Sequence, residues 1–358
     1  NKPVQQAADS VFLPNYKQYL NYIVSFKSND SNKDINNLPG DFINAISDNN
    51  PKKAKEILEC VKKTDDSDKK NNFVLYRNYQ GDTLYNIAVN NKKFEIADNF
   101  LDFVSTLDKD AKRDFVFARS LSDRTGFEYA VSSKNPELVH SFLDFVKTLD
   151  ENTQKDFVLK RNKLGETRFE YLIREGQNTQ TAKAFLDYVK TLDQTTQKRF
   201  ILAKDAYGDT QFTKALNYYQ PKTASEFLKY VETFDTDTKK RFVLSKNMYG
   251  DTQFNSAILH NNSKIAKTLL NFVENMDQNT KINFVMSQNN YGFTQFCTAL
   301  SVNNKDLAMD FLKLVKTLPY EKKMNFYILK NNSKETQYDY ARRKKFPDVA
   351  NEFSKLLN

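Results

Sequence analysis

Hydrophobic positions along the chain fall into three short amphipathic blocks that recur in a fixed order, and a fixed period governs how every other feature is read. The first block is plainest in YGDTQFTKAL from Tyr207, YGDTQFNSAI from Tyr249 and YGFTQFCTAL from Tyr291, with weaker copies in LGETRFEYLI, DRTGFEYAV and KETQYDYA. Its threonines stand at Thr83, Thr125, Thr167, Thr210, Thr252, Thr294 and Thr336, a period of 42 residues with one slip. The spacing of Phe212, Ala215 and Leu216 is the i, i+3, i+4 stripe of a short helix with one buried face. Thr210 suits the helix start, and Gly208 before it suits a tight turn with positive φ.

The second block reads DNFLDFVSTLD, HSFLDFVKTLD, KAFLDYVKTLD, SEFLKYVETFD, KTLLNFVENMD and MDFLKLVKTLP, with EILECVKKTD before and NEFSKLLN after. Its leading apolar residue falls at Ile57, Phe100, Phe142, Phe185, Phe227, Leu269, Phe311 and Phe353, which makes eight units. This greasiest block predicts the buried inner layer. The third block places an aromatic at Phe73, Phe115, Phe157, Phe200, Phe242, Phe284 and Phe326; the copy over Thr236–Lys246 exposes Lys239, Lys240 and Arg241 and buries Phe242, Val243 and Leu244. Asp or Thr of the preceding T-L-D caps it. All three series share a one-residue slip between Thr167 and Phe185, which locates an insertion in REGQNTQT, and a second slip lies between Ile57 and Phe73.

A 42-residue piece cannot close a core around these aromatics, so the units must stack, each on its neighbours. The expected fold is all-α, a helical-repeat solenoid of about eight units over residues 39–358. Residues 1–38, with Tyr16, Tyr19, Leu20 and Ile23 in an amphipathic run, are expected to form an N-terminal helical cap. The last unit lacks a third block and carries the basic ARRKKF, as a capping repeat would.

YGDTQFTKAL, followed about a dozen residues later by A-x-x-F-L, resembles the ankyrin pattern Gly-x-Thr-Pro-Leu-His-x-Ala with a second helix ending in a leucine pair. Thr210, Phe212 and Ala215 take the places of the family's threonine, first leucine and alanine, and Phe227 with Leu228 the place of its leucine pair. The resemblance departs from the family in a unit about nine residues longer, and in Gln and a variable residue where Pro and His stand. Because the family's threonine and histidine tie neighbouring hairpins together, loss of the histidine implies that a short helix replaces much of the hairpin finger. Armadillo repeats also place three helices in about 42 residues, but their glycine and leucine signature is not evident here.

Composition adds two constraints. The formal net charge is +9, which permits attraction to nucleic acid, an anionic membrane surface or an acidic protein, and scattered charge of this kind is ordinarily a solvated face. Two cysteines, Cys60 and Cys297, far apart and without metal spacing, indicate neither a disulfide framework nor a zinc site, and favour a reducing compartment. His140 and His260 lie nearly three units apart, and no triad, dyad, metal cluster or phosphate loop can be assembled. The carboxylates Asp65, Asp66 and Asp68 read as helix caps. The expectation is a non-enzyme without cofactor. No run reaches the length of a membrane span. Asn1 in place of Met leaves room for a trimmed upstream segment, including a lost signal or a catalytic domain that these repeats would target.

Columns that stay constant along the array hold the stack, and columns that vary can read a partner. The variable columns of the first helix nominate Tyr129, Tyr171, Arg174, Lys214, Asn217, Tyr218, Leu259, His260, Ser301 and Val302. In an ankyrin-like stack they would line the concave face, and Tyr and Arg are typical anchors. The resemblance implies a monomeric scaffold for a protein partner. Its Lys- and Asn-rich character is similar to that of virulence effectors which intracellular bacteria deliver into host cells, implying a host protein as target and a cytoplasmic or host-cytoplasmic location. The alternative is a nucleic-acid binder using TKKRF, AKRDF and TQKRF of the third helices as a basic edge.

Overall fold

A computed structural model describes residues 37–176 and 178–357, so the expected cap around Tyr16 to Ile23 lies outside the described residues. Within them the chain forms α-helices in repeating triplets, with no strand among them. Contacts divide it into two compact units that meet in sequence between Leu107 and Asp108. The first contains α1 (Leu38–Ser47), α2 (Pro51–Lys63), α3 (Ser67–Val74), α4 (Leu84–Asn90) and α5 (Phe94–Ser105). In it α1 packs on α2 and α4, and α2 on α5, around a ring cluster of Phe42, Phe73, Phe100 and Phe103 with centroids 5.7 to 6.2 Å apart.

The second unit opens with α6 (Lys109–Phe117) and holds six further repeats. Repeat 3 comprises α7 (Gly126–Ser132), α8 (Pro136–Lys147) and α9 (Glu151–Leu159). Repeat 4 comprises α10 (Arg168–Tyr171), α11 (Thr179–Val189) and α12 (Gln194–Leu202), and repeat 5 α13 (Gln211–Asn217), α14 (Pro221–Glu232) and α15 (Thr236–Val243). Repeat 6 is α16 (Gln253–Leu259), α17 (Ser263–Glu274) and α18 (Gln278–Met286); repeat 7 is α19 (Gln295–Ser301), α20 (Lys305–Lys316) and α21 (Tyr320–Ile328); repeat 8 is α22 (Gln337–Arg343) and α23 (Pro347–Ser354). First helices stack on first and second on second along the unit, and third on third except between repeats 5 and 6, a helical-repeat solenoid.

Each first helix starts at its threonine. In repeats 4 to 8 the Thr side chain accepts from the backbone N–H three residues on, as from Thr213 to Thr210 at 3.3 Å and from Cys297 to Thr294 at 3.4 Å, satisfying a donor that the helix leaves free. Third helices start at aspartates in the same way: Asp150, Asp193 and Asp277 accept from the N–H groups of Thr153, Thr196 and Thr280. These bonds stabilise the carboxylate, so all three acids sit below their ordinary pKa, the threonine side-chain bond being the largest cause. The preceding turn is bent by glycine at φ +76° in Gly208, and a Cβ there would lie 2.9 Å from the Cα of Asn247 in the next repeat, so conformation and space both select glycine.

A trace of the hairpin finger survives. Lys204, Lys246, Gln288 and Lys330 each form an isolated antiparallel bridge with the next helix-starting threonine. Consequently α15 ends at Val243, not at Lys246 as the pattern predicts, and Leu244 is half-buried at the hairpin entry. Neighbouring repeats are tied at this point by glutamine. Thr210 Oγ1 and Thr213 Oγ1 both donate to Oε1 of Gln253 in the next repeat, at 3.0 and 2.8 Å, and Thr294 Oγ1 donates to Gln337 at 2.7 Å. In repeat 4 Arg168 takes the glutamine place; its buried guanidinium donates to the Phe157 carbonyl, and burial draws its pKa down to about 10.

The most completely buried layer is that of the first helices, which corrects the expectation that hydrophobic content puts the second helices innermost. Gln253 to Ile258 of α16 are all buried, whereas α14 keeps Lys222, Lys229 and Glu232 in solvent. The reason is geometric: α16 touches α13, α15, α17 and α19, and the inter-repeat bonds let Thr, Gln and Asn be buried without losing hydrogen bonds. Beside this layer Phe157, Phe185, Phe200, Phe227 and Phe242 form a zigzag of rings 5.9 to 6.2 Å apart, each pair in the range where aromatic contact adds to burial.

The two slips take definite forms. The earlier one lengthens α2 by a residue relative to α5. The later one is a π turn over Leu172–Gly176, beginning before the predicted REGQNTQT stretch. Single π turns are how helices take up one extra residue. Gln220 of the next repeat donates from Nε2 to the Ile173 carbonyl in that turn.

Candidate interaction surface

The chemistry of the first-helix face follows from where each helix ends. All first helices of repeats 5 to 8 stop in the same way, with the last residue, the cap and one residue beyond forming three columns. These read Asn217, Leu259, Ser301, Arg343; then Tyr218, His260, Val302, Lys344; then Tyr219, Asn261, Asn303, Lys345. The third column has positive φ throughout, +56° at Tyr219 and Asn261, +60° at Asn303 and +62° at Lys345.

Against that geometry the ten nominated residues separate into three groups. Tyr129 and Tyr171 are 3% and 6% exposed. The Tyr171 hydroxyl is 2.9 Å from Ser132 Oγ of the previous repeat, and the Arg124 guanidinium lies 4.3 Å from the Tyr129 ring centre, so both rings are taken up by contacts within the chain. A second group has its polar atoms engaged within the chain. Arg174 donates from Nε and Nη2 to Glu166 at 2.7 and 3.1 Å, lies over the Tyr171 ring and pairs with Glu175. The bond from Glu166 holds the Arg174 pKa above its ordinary value.

Lys214 pairs with Asp205, and Asn217 donates to Asp209 at 3.0 Å. His260 Nδ1 is 2.8 Å from the Ser256 carbonyl, and Ser301 Oγ donates to Thr298. The third group is apolar and open: Leu259 is 49% and Val302 41% exposed, with Tyr218 half-buried on the neighbouring helix.

Sequence reasoning missed Tyr219, which is 82% exposed with φ +56°. A left-handed backbone costs a non-glycine residue about 1–2 kcal/mol, and Asn, which tolerates it better, holds the same place at Asn261 and Asn303. The signal was a tyrosine in a column otherwise of Asn and Lys. Also unassigned was a row of exposed hairpin tips, Leu121, Leu164, Tyr207, Met248, Tyr249 and Tyr291. Neighbouring tips are tied by backbone bonds, as Met248 N–H to the Tyr207 carbonyl at 2.8 Å.

The cations of the third helices lean on the next repeat. Lys198 Nζ is 2.6 Å from Asp235, and Lys155 and Lys240 act electrostatically on Asp193 and Asp277. The basic edge is thus interleaved with the carboxylates that cap the helices. Between repeats 5 and 6 lies an open cleft of about 580 Å³ lined by Lys239, Phe272, Met276, Asn271, Glu232 and Asp277.

Among the described residues no three His, Cys, Asp or Glu side chains are grouped to hold a metal ion, and no helix is long and apolar enough to cross a membrane. Cys297 is buried and donates from Sγ to Gln337 at 2.9 Å; burial pushes its thiol up to about 12. Its column, with Glu128, Thr213 and Asn255, is buried and belongs to the seams between repeats.

No protein-family model matches the chain, and no curated protein does. Among solved structures the ankyrin repeat domain of Bcl-3, a member of the IκB protein family, is similar at a TM-score of 0.51 and 15% identity, over 76% of this chain and 97% of that one. An ankyrin repeat protein from Leishmania major matches at a TM-score of 0.48 and 12% identity, over 89% and 98%. An ankyrin repeat domain from Acinetobacter baumannii matches at 0.44 and 17%, over 64% and 96%. The likeness to the Bcl-3 domain shows that the fold is of the ankyrin type.

Proposed function

We propose that the chain is a protein-interaction scaffold that binds a partner protein through the ends of its first helices. The observation that carries this reading is the exposure of Leu259 and Val302 at the ends of helices whose remaining apolar residues are buried. An apolar side chain left open among saturated polar neighbours is where association can still remove surface from water. The polar members of the nominated set would act as a rim: Arg174, Lys214 and Asn217 are already held in place, so they present fixed charge and hydrogen-bonding groups without further ordering.

The finer form of the proposal is a virulence effector acting on a host protein in the host cytoplasm. What supports it is the Lys- and Asn-rich composition on an ankyrin-type array. The chain is expected to run as a monomer in sedimentation. Capture from a host lysate should yield a saturable partner that the variant carrying Arg174→Glu, Tyr218→Glu and Leu259→Glu fails to retain. Equal retention by that variant, with its helical signal intact, would overturn the proposal.

A further inference from the structure

We infer that Tyr219 is the principal anchor of this surface, and that its partner is an extended, acidic polypeptide segment. The segment's apolar side chains would sit at repeats 5 to 7 and its carboxylates at repeat 8. The inference rests on the reading of the first-helix face given above and adds the chemistry and direction of the ligand.

Tyr219 combines two disadvantages in the free molecule. Its backbone is held left-handed, where a bulky side chain is strained, and its ring is exposed, so no burial offsets the strain. A local rule broken without compensation inside the fold points to compensation outside it. Burial of the ring by a partner is that compensation, and a rigid aromatic with few torsions is well suited to the task.

The rest of the surface sets what covers the ring. Leu259 and Val302 lie at the ends of the next two first helices, which pack against one another in order, α13 on α16 and α16 on α19. At repeat 8 the same three columns turn cationic, as Arg343, Lys344 and Lys345, with Arg342 exposed beside them. Glu335 neutralises Arg343 through bonds of 2.6 and 3.1 Å, and Asp339 is spent on the cap of Thr336. Among the described residues no ion pair joins Lys344, Lys345 or Arg342 to a carboxylate as Glu335 is joined to Arg343; Lys344 Nζ donates to the Ser301 carbonyl at 3.5 Å, and Arg342 lies over the Tyr338 ring. Apolar anchors followed in one direction by unneutralised cations fit a segment with large apolar residues followed by acidic ones, and such charge sets orientation and encounter rate.

The test is selection of phage-displayed random linear peptides on the full chain, followed by titration of the selected peptides against variants. Asp and Glu should be enriched on one side only of an apolar or aromatic pair. Affinity should fall about tenfold or more in Tyr219→Asn and in Lys344→Glu with Lys345→Glu, and should weaken as salt is raised. Tyr219→Asn suits the left-handed backbone, so its thermal midpoint should hold or rise while binding is lost; a merely structural tyrosine would show the reverse. Peptides that require Leu259 but show no acidic bias, or that bind both variants unchanged, overturn this inference and leave the scaffold reading standing. Selection of no peptide overturns it as well, and loss of lysate capture in the triple variant then decides the scaffold reading separately.

Discussion

The junction between repeats 4 and 5 and the junction between repeats 5 and 6 occupy the same positions and are closed by different chemistry. In the first, Gln197 of α12 donates from Nε2 to the carbonyls of Lys190 and Leu192, at 3.1 and 2.6 Å, and accepts from the buried Tyr230 hydroxyl of the next repeat at 2.8 Å. The junction before it repeats the device with Gln154 and Tyr188, at 3.3 Å. In the second, Lys239 stands for the glutamine and Phe272 for the tyrosine; the ammonium sits 5.8 Å from the ring centre and the cleft opens beside it. Leu269 also takes the place of the spine phenylalanine there.

Where the third helix has Gln, the next second helix has Tyr; where it has Lys, as at Lys112, Lys239 and Lys281, the next has Phe145, Phe272 or Leu314. The two positions differ together because an acceptor is needed only opposite a hydroxyl. A buried hydroxyl without one loses about 1–3 kcal/mol.

The contrast can be broken most severely at the ring spine. Phe227→Ala removes a fully buried ring that touches Phe200 and Phe242. It should cost about 3–5 kcal/mol in urea unfolding, and a loss under about 1 kcal/mol would mean that the rings do not carry the stack. Gln197→Lys should come next, at about 1–3 kcal/mol, because it strands the Tyr230 hydroxyl and two carbonyls. Adding Tyr230→Phe should return part of that loss, and a double-mutant cycle without measurable coupling would refute the pairing.

The reciprocal transplant, Lys239→Gln with Phe272→Tyr, should stabilise the second junction by about 0.5–1.5 kcal/mol, and neither change alone should do so. The smallest expected effect is with pH. Burial raises the Tyr230 phenol above its ordinary value. A raised acid favours the protonated form in the folded state, so its contribution is complete below the unfolded value of about 10 and is lost as pH rises beyond it. Thermal midpoints should therefore drop more steeply above pH about 10 in the wild type than in Tyr230→Phe, and parallel curves would exclude the tyrosine as cause.

Much of the fold was legible because it rests on period. The threonines that start helices, the aspartates that cap the third helices and the phenylalanines of the spine each recur at one place, and repetition averages out the ambiguity of any single short helix. The candidate surface was legible only in part. Variation along a column was read as exposure, but the position before the alanine is roofed by the neighbouring repeat, so Tyr129 and Tyr171 are buried although their column varies. Tyr219 was missed because its oddity lies in φ, which the tyrosine itself does not announce. The Gln197 and Tyr230 pair is separated by a whole helix, and only the stacking of repeat 5 on repeat 4 brings the two together.

The π turn at Leu172–Gly176 has a consequence for how such an array tolerates change in length. An extra residue in an α-helix would rotate everything after it by about 100°, yet the spine continues unbroken from Phe157 through Phe185 to Phe200. The turn works as an expansion joint: it swallows the surplus within one helix and hands the chain on in phase. This repeat thus carries one residue more than its neighbours while they keep the same address.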